Sequence, residues 1–271
     1  MKRFCSPIMI KDQTVIGIRG EVSDIVNVLL PENVIHVGVN SFKSCFRLTS
    51  MVFPTKLRTI GEGAFSDCDH LTSVSIPETV IHVGDKAFSR CFSLISITLP
   101  TSLVKVGVRV FHECKGLTSV TLPEGMTQIG DNAFSYCHSL TSIVLPKKLK
   151  KIGDSGFQHC VSLTSVTLPE TVIHLGHNAF AHCSSLKFVT LPDGLRHVGI
   201  GSLSHCNQLS SISFRPPMSR AFFIVWAVGN SRHRDNWQFT TVKQLRNVLR
   251  LIVNFGNWCR DVSSVMTLMK L

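Results

Sequence analysis

Residues 117–139 read LTSVTLPEGMTQIGDNAFSYCHS, and this stretch decides the fold because the chain repeats it. Its cysteine belongs to a column of eight that stand 23 residues apart, namely Cys45, Cys68, Cys91, Cys114, Cys137, Cys160, Cys183 and Cys206. Glycines from Gly38 to Gly199, prolines from Pro31 to Pro192 and leucines from Leu48 to Leu209 keep the same step, with no insertion or deletion. A fixed period of this kind is typical of a solenoid, in which each repeat buries its apolar face against its neighbours.

The first half of the unit alternates between apolar and hydroxyl side chains. Val120 and Leu122 fall on one face, and Ser119 and Thr121 fall on the other, which predicts a short strand with one buried face. Pro123 lacks an N–H group and ends that strand.

The second half predicts a turn and a short helical segment. Gly130 permits a turn that a residue with a Cβ atom would resist. Asp131 is a plausible N-cap for a helical turn, and Asp85 and Asp154 hold the same position in their repeats. The side chains expected to point inward from this half are Met126, Ile129, Ala133, Phe134 and Cys137.

The spacing L-x-x-V-x-L-P followed by V-x-x-I-G-x-x-A-F-x-x-C resembles the leucine-rich repeats of the BspA-like family, over about 190 of the 271 residues. The resemblance implies a right-handed, curved solenoid. It also implies a role in binding macromolecules, often at the surfaces of bacterial and protist cells.

We therefore predict an α/β repeat solenoid with a parallel sheet along one face, short helical turns opposite, and a helical C-terminal cap. Residues 1–24 do not follow the period and form a lead or an atypical capping turn. Residues 25–214 form the solenoid, with eight full repeats and a final strand. Residues 215–271 form a basic, Trp-containing helical cap.

The net charge of +11 is unevenly distributed. Residues 215–271 contain nine Lys or Arg and two Asp, so this segment alone carries +7. Residues 240–255 have the pattern of an amphipathic helix. Two interpretations stay open for the segment, a cap over the last repeat or a docking element for an acidic partner, a membrane surface or RNA. It contains no specific nucleic-acid motif.

The N-terminus shows no clear export signal. Lys2 and Arg3 are basic, but Ser6 and Pro7 interrupt the apolar stretch that follows them. The longest apolar run, residues 221–228, is too short for a membrane helix, so we predict no membrane span. The sequence as written predicts a cytoplasmic protein, and a cell-surface or secreted one if a signal segment precedes residue 1.

The chain lacks a nucleophile elbow, a phosphate-binding loop and paired catalytic carboxylates, so we predict a non-enzymatic protein without a cofactor. The cysteine column is interpreted as a row of small buried hydrophobes, with disulfides between adjacent repeats as the alternative. Zinc needs four converging ligands, which a linear ladder does not provide. No catalytic metal site is predicted.

Two histidine columns and one lysine cluster are interpreted as solvated basic surface. The alternatives are adventitious metal binding between stacked histidines, and a phosphate or acidic-partner site at the lysines. The residues concerned are His159, His182 and His205, then His36, His82, His174 and His197, and finally Lys147, Lys148, Lys150 and Lys151.

The exposed side of the predicted sheet carries the candidate partner-binding site. Lys187 and Phe188 interrupt its regular hydroxyl side chains and mark a predicted contact spot. The predicted site, on the concave face, comprises Ser73, Ser75, Ser96, Thr98, Ser119, Thr121, Ser142, Ser165, Thr167, Lys187, Phe188 and Thr190.

These observations favour an interaction scaffold that binds a protein, or alternatively a glycan, through that face. The first alternative is a cell-surface adhesin or antigen-like binding protein. A remote alternative is ice or mineral binding by the regular hydroxyl ladder. A surface of Ser and Thr is also what a crowded, half-exposed sheet favours on structural grounds alone.

Overall fold

The protein is a parallel β-solenoid of about eight coils. A computed structural model describes residues 8–18 and 25–214. Each coil contributes two short strands and a turn segment, except that the coil at 140–162 lacks the first strand, and equivalent strands of successive coils pair in parallel. The predicted repeat solenoid with a parallel sheet is thus confirmed, although the sheet runs along two sides of the coil.

After an N-terminal hairpin, the strands of the described residues alternate between these two sides, except that β12 and β13 both lie on the second side. In chain order they are β1 (Ile8–Lys11), β2 (Thr14–Ile18), β3 (Asn27–Leu29), β4 (His36–Val37), β5 (Ser50–Val52), β6 (Thr59–Ile60), β7 (Ser73–Ser75), β8 (His82–Val83), β9 (Ser96–Thr98), β10 (Lys105–Val106), β11 (Ser119–Thr121), β12 (Gln128–Ile129), β13 (Lys151–Ile152), β14 (Ser165–Thr167), β15 (His174–Leu175), β16 (Phe188–Leu191), β17 (His197–Val198) and β18 (Ser211–Phe214).

On the first side, β3, β5, β7, β9 and β11 form one sheet, and β14, β16 and β18 form another. Residues 142–144, between the two sheets, are not in a strand. On the second side, the sheets are β1-β2-β4-β6-β8 and β10-β12-β13-β15-β17. Only the β1–β2 hairpin pairs antiparallel among the described strands, and β2 then joins the first coil in parallel at β4.

The turn segment is not helical, and the prediction of short helical turns was wrong. Within residues 8–18 and 25–214 no helix is present. Asn132 and Tyr136 have φ angles of 54° and 62°, which a right-handed helix excludes. The amides of Asn132, Phe134 and Tyr136 donate to carbonyl oxygens of the following coil, at 2.8, 2.8 and 2.7 Å. Every second amide of the turn therefore bonds to the next coil, and these bonds are shorter than those of the amides between them, which stay within the coil at 3.2–3.3 Å.

The aspartates predicted as helix caps also bond between coils, so that prediction was wrong too. The amide of Asp154 donates to Oδ1 of Asp131 at 2.9 Å, and the amide of His177 donates to Oδ1 of Asp154 at 2.8 Å. Asp85 accepts from the amide of Val108 in the same way. Each carboxylate thus satisfies a backbone donor one coil further along.

The repeated glycine is required by the distance between coils. Among the described glycines only Gly17, Gly63 and Gly201 have positive φ, and none of these belongs to the repeated column. A Cβ atom on Gly130 would lie 2.6 Å from the carbonyl carbon of Gly107 in the previous coil. Such a contact is shorter than real Cβ atoms show, so only glycine lets the coils approach this closely.

The core is built from columns of identical side chains. The phenylalanines from Phe42 to Phe180 stack in one continuous row, with ring centroids 5.1–5.9 Å apart and planes within 16° of parallel. Leu203 replaces phenylalanine in the last coil and is buried as well. Offset stacking of this kind adds to the free energy gained by burying the rings.

The eight cysteines of the column are buried and free, as predicted, and no disulfide joins them. Seven of them also donate a hydrogen bond from Sγ to a phenylalanine carbonyl oxygen of the previous coil, at 3.1–3.2 Å. Cys137, for example, bonds to Phe111. That carbonyl oxygen also accepts from the amide of Cys114. The thiol therefore ties each coil to the turn of its neighbour.

The ends of the chain were predicted to be caps. Part of the predicted lead, residues 1–24, is the β1–β2 hairpin, in which Val15 is buried against the first coil. The predicted C-terminal cap at 215–271, with its helix at 240–255, lies outside the described residues.

We predict that Gly130→Ala lowers the free energy of unfolding by about 2 kcal/mol or more, because the new methyl group meets backbone that cannot move aside. Gly125→Ala, in the same coil, is the matched control. Its Cβ atom would make an ordinary van der Waals contact, with the nearest atom 3.8 Å away, so its stability should change little or rise slightly. Urea unfolding of the two variants checks this, and equal losses would refute the steric account.

We also predict that the eight column thiols are unreactive in the native protein. Burial raises the pKa of Cys114, Cys160 and Cys206 to about 12, which suppresses the thiolate that reacts. The hydrogen bond with Cys68 lowers the pKa of Cys45, but that side chain is fully buried and out of reach of a reagent. In a Cys5→Ser/Cys259→Ser variant, labelling with Ellman's reagent should be on the order of 100-fold slower than after unfolding. Fast labelling of the native variant, or a disulfide in its mass spectrum, would contradict a column of buried, free thiols.

Candidate functional site

The first strands of successive coils build a surface that we call the hydroxyl face. In each three-residue strand the middle residue is buried and its two neighbours point outward, as Ser119, Val120 and Thr121 show. One outward column contains Ser50, Ser73, Ser96, Ser119, Ser142, Ser165, Phe188 and Ser211. The other contains Val52, Ser75, Thr98, Thr121, Val144, Thr167, Thr190 and Ser213. Neither column contains a charged side chain.

The structure places all the predicted site residues on or beside this face. In the five-stranded sheet, Ser96 lies in register with Ser73 and Ser119, and Thr98 lies in register with Ser75 and Thr121. Neighbouring strands of a sheet are about 4.8 Å apart, so the hydroxyl groups form two regular rows.

The second part of the face lies on β14, β16 and β18. Ser165 pairs with Phe188, and Thr167 pairs with Thr190, in the same parallel register. Lys187 is exposed and directly precedes β16. Ser142 is also exposed, but it lies in the coil without a first strand, so the hydroxyl face has an interruption there.

Most hydroxyl groups of the central rows are free to bind something else. In the described part of the chain, Ser73, Ser96 and Ser119 make no side-chain hydrogen bond, and the same is true of Ser75, Thr98 and Thr121. Near the C-terminal end, by contrast, Thr190 Oγ1 and Ser213 Oγ lie 2.9 Å apart and bond to each other. A hydroxyl group can both donate and accept, so the central rows offer two kinds of contact at each position.

A few bulky side chains interrupt the hydroxyl rows. Phe188 has 55% of its surface exposed in a column that is otherwise serine. Val144 is 81% exposed, and Leu29 and Val52 are exposed side by side at the N-terminal end. These apolar residues make the face unlike a uniform hydroxyl lattice.

Sequence reasoning missed a second exposed surface, which we call the basic face. In each coil it consists of the two residues that directly precede the buried residue of the second strand. One column contains Ile35, Arg58, Ile81, Val104, Thr127, Lys150, Ile173 and Arg196, and the other contains His36, Thr59, His82, Lys105, Gln128, Lys151, His174 and His197. Reading these columns through every repeat would have shown that they contain cations and no acid. The four clustered lysines had instead been taken as one isolated turn.

The histidines stack instead of standing apart in solvent. Tyr136, His159, His182 and His205 form one row on the turn segments, with ring centroids 4.3–4.4 Å apart. Burial, followed by repulsion from neighbouring histidines, lowers the pKa of His159 and His182. The predicted solvated stripe is thus a stacked row in which His159 and His182 are half-buried and His205 is exposed.

The structure gives no positive sign of metal binding by these rings. Among residues 8–18 and 25–214, no group of three or more His, Cys, Asp or Glu side chains converges on a point where a metal ion could bind. In the same residues, no helix has the length and apolar character needed to cross a membrane.

Comparison with known protein families gives a match over most of the chain. The family model described as the BspA type leucine-rich repeat region, in six copies, matches residues 21–141 and 104–221. A comparison of the sequence with curated proteins gives no significant match.

Solved structures with a similar fold include leucine-rich repeat proteins of bacteria. A leucine-rich cell surface protein from Faecalibacterium prausnitzii A2-165 is 25% identical, with a TM-score of 0.50. The alignment covers 77% of this chain and 64% of that one, so this chain spans somewhat under two thirds of its length.

Two other similar structures show more distant likeness. The leucine-rich repeat protein of T. pallidum is 20% identical, with a TM-score of 0.39 and coverage of 92% of this chain and 95% of that one. The pneumococcal vaccine antigen PcpA is 19% identical, with a TM-score of 0.46 and coverage of 72% and 57%. The family match, together with the repeated coil, shows that this chain belongs to the BspA-type leucine-rich repeat family.

Proposed function

We propose that the chain is a non-enzymatic scaffold that binds a protein partner through the hydroxyl face. The observation that supports this most directly is the contrast between the two sides of each first strand. The buried side is fixed by packing, whereas the exposed side presents rows of free hydroxyl groups. A rigid repeat surface of this kind can present many contacts at once without loss of conformational entropy on binding.

The shape and chemistry of the face suit a protein. Its small side chains let a partner's backbone or side chains approach closely, and its hydroxyl groups can satisfy the partner's polar groups. A neutral face also avoids the cost of desolvating charges that end up without a counterion. Affinity must then come from a few larger contacts within this polar surface.

Phe188 is the residue that we propose as the main anchor. Aromatic side chains are over-represented among residues that dominate binding energy, because they bury a large apolar area with few rotatable bonds. Phe188 is exposed on β16, flanked by Lys187 and paired with Ser165 and Ser211. Because its neighbours in the column are small serines, about half of Phe188 stays exposed to a partner.

The side chains that could in principle catalyse a reaction have structural roles here. The column thiols are buried and bonded to carbonyl oxygens, as Cys137 is to Phe111. Ser135 is buried and bonds to the carbonyl oxygen of Asn132. His177 Nδ1 accepts from the amide of Ile200 at 2.9 Å. The repeat multiplies these residue types because the coil needs them, which supports a scaffold over an enzyme.

A setting at the cell surface is the interpretation we favour for localisation. The similar protein from Faecalibacterium prausnitzii is described as a cell surface protein. Antibody labelling of intact source cells tests this setting, and labelling that requires permeabilised cells would contradict it.

The face is tested by placing a photo-crosslinking side chain at Ser119, Thr121 or Thr167 of the intact protein. Gln128 and Thr127, on the basic face, are the matched control positions. After illumination with proteins from the source cells and their medium, we expect the hydroxyl-face positions to capture one or a few discrete proteins in a saturable way. Capture of the same proteins from the control positions would refute the assignment.

We predict that Phe188→Ser, which restores the serine column, weakens binding of the captured partner at least tenfold, about 1.4 kcal/mol or more. Val144→Thr also replaces an exposed apolar residue of the face with a small hydroxyl residue, and it should change affinity less than threefold. Surface plasmon resonance with purified protein measures both. Equal effects of the two substitutions would show that Phe188 is not an anchor.

A further inference from the structure

The basic face carries a regular row of cations that the packing of the solenoid does not require. Arg58, Lys105, Lys150, Lys151 and Arg196 stand on the second, fourth, sixth and eighth coils. Four of them are exposed and Lys151 is half-buried. Because neighbouring strands lie about 4.8 Å apart, cations recur about every 9.6 Å along the solenoid.

These cations make no ion pair within the described residues. The ion pairs found there lie elsewhere on the coil, between Lys86 and Glu62, between Arg90 and Asp67, and between Glu113 and both His112 and Lys115. From Lys105 to His197 the basic face is one continuous sheet. The side chains of the row are therefore held at fixed spacing on a rigid support.

Two acidic columns border the basic face. The column three residues before it is acidic in five of the eight repeats and holds Lys147 in the sixth, and the column three residues after it is acidic in four. The acids are Glu32, Glu78, Glu124, Glu170 and Asp193 in the first column, and Glu62, Asp85, Asp131 and Asp154 in the second. Several of these carboxylates are held in place by the next coil, since Glu78 accepts from both the amide and the hydroxyl group of Thr101. Those bonds lower the pKa of Glu78, so it is ionised at neutral pH.

The arrangement selects for a narrow anionic partner. An acidic globular protein or an anionic bilayer is broad, so it would meet the bordering carboxylates and be repelled. A linear polymer lying along the solenoid axis would contact the cations and pass between the acidic columns. Exposed Ile81, Val104 and Ile173 alternate with the cations and would contact the apolar parts of such a polymer.

The spacing of the cations favours a polysaccharide over a nucleic acid. Phosphates recur about every 3.4 Å along a single DNA strand, which is far denser than the cation row. The two columns also lack Phe, Tyr and Trp, on which bases of a single strand would stack. A disaccharide unit, in contrast, is comparable in length to two coils of this solenoid.

We propose that the basic face binds a linear anionic polysaccharide, sulfated or carboxylated, that lies along the solenoid axis with one acidic disaccharide for every two coils. This surface is distinct from the hydroxyl face and does not depend on the function proposed for it. Sulfate and carboxylate groups share the charge that the row recognises, and the probes in the test distinguish them.

The test is binding of the full-length protein to immobilised heparin and hyaluronate, with dextran as the neutral probe. One variant neutralises the row through Lys105→Gln, Lys150→Gln, Lys151→Gln and Arg196→Gln. The matched control removes the same number of charges elsewhere through Lys43→Gln, Arg47→Gln, Arg90→Gln and Arg109→Gln. Equal melting temperatures of the two variants establish that both are folded.

We expect the row variant to bind the sulfated probe, the carboxylated probe or both at least about tenfold more weakly than the wild type, with a shallower dependence of affinity on salt. The control should change affinity less than threefold. Because residues 215–271 are identical in all three proteins, their charge cannot produce this difference. Dextran should not bind.

Several results would overturn the proposal. It fails if the row variant binds as well as the wild type, if the control loses as much affinity, or if neither heparin nor hyaluronate binds. If duplex DNA binds more tightly than both polysaccharides, and the row variant loses that binding, the row is assigned to nucleic acid instead. The same result with poly-glutamate would assign the row to an acidic peptide.

Discussion

The structure depends on the close contact between successive coils, which fixes the repeat at 23 residues. On two sides of the coil this contact is a parallel strand ladder. On the third side it consists of turn amides that donate to the next coil and cysteine thiols that donate to the previous one. The glycine column sits where two backbones approach too closely for a Cβ atom. A coil of any other length would break all of these contacts at once, which explains why no insertion or deletion occurs between residues 25 and 214.

This constraint separates the positions that can vary from those that cannot. Inward positions are occupied by nearly the same residue in every coil, because each side chain packs on its own equivalent above and below. Outward positions only have to tolerate a crowded sheet surface. The outward positions of the two faces therefore differ, since the hydroxyl face presents neutral hydroxyl groups and the basic face presents cations and histidines. A single scaffold thereby gains two surfaces with different chemistry, which need not bind the same kind of partner.

Much of this fold could be predicted from the period alone. The period fixed the alignment of the columns, and alternation within the unit then showed that Val120 is buried while Ser119 and Thr121 are exposed. The turn segment could not be read in this way, because Ala133, Phe134 and Cys137 have the spacing of a helix face. The backbone adopts positive φ at Asn132 and Tyr136 instead, since its amides find partners in the next coil. Sequence spacing within one repeat carries no information about bonds between repeats.

The candidate sites show the same limit. The hydroxyl face was predicted because it follows a strand that the sequence reveals clearly. The basic face was missed because its strands are only two residues long, too short for an alternating pattern. Asp131 looked like a cap for its own turn, although its partner is the amide of Asp154 in the following coil. In each case the missing information is the contact between neighbouring coils.

The central claim, that contacts between coils fix the length of the repeat, is tested most directly by excising one repeat. Removal of residues 117–139 takes out a whole coil and keeps every column in register, whereas removal of residues 117–138 shifts all later columns by one residue. Circular dichroism and urea unfolding of both proteins give the comparison. The account predicts that the first deletion keeps the β-sheet spectrum and unfolds cooperatively, and that the second loses both. Equal behaviour of the two deletions, whether both fold or both fail, would contradict it.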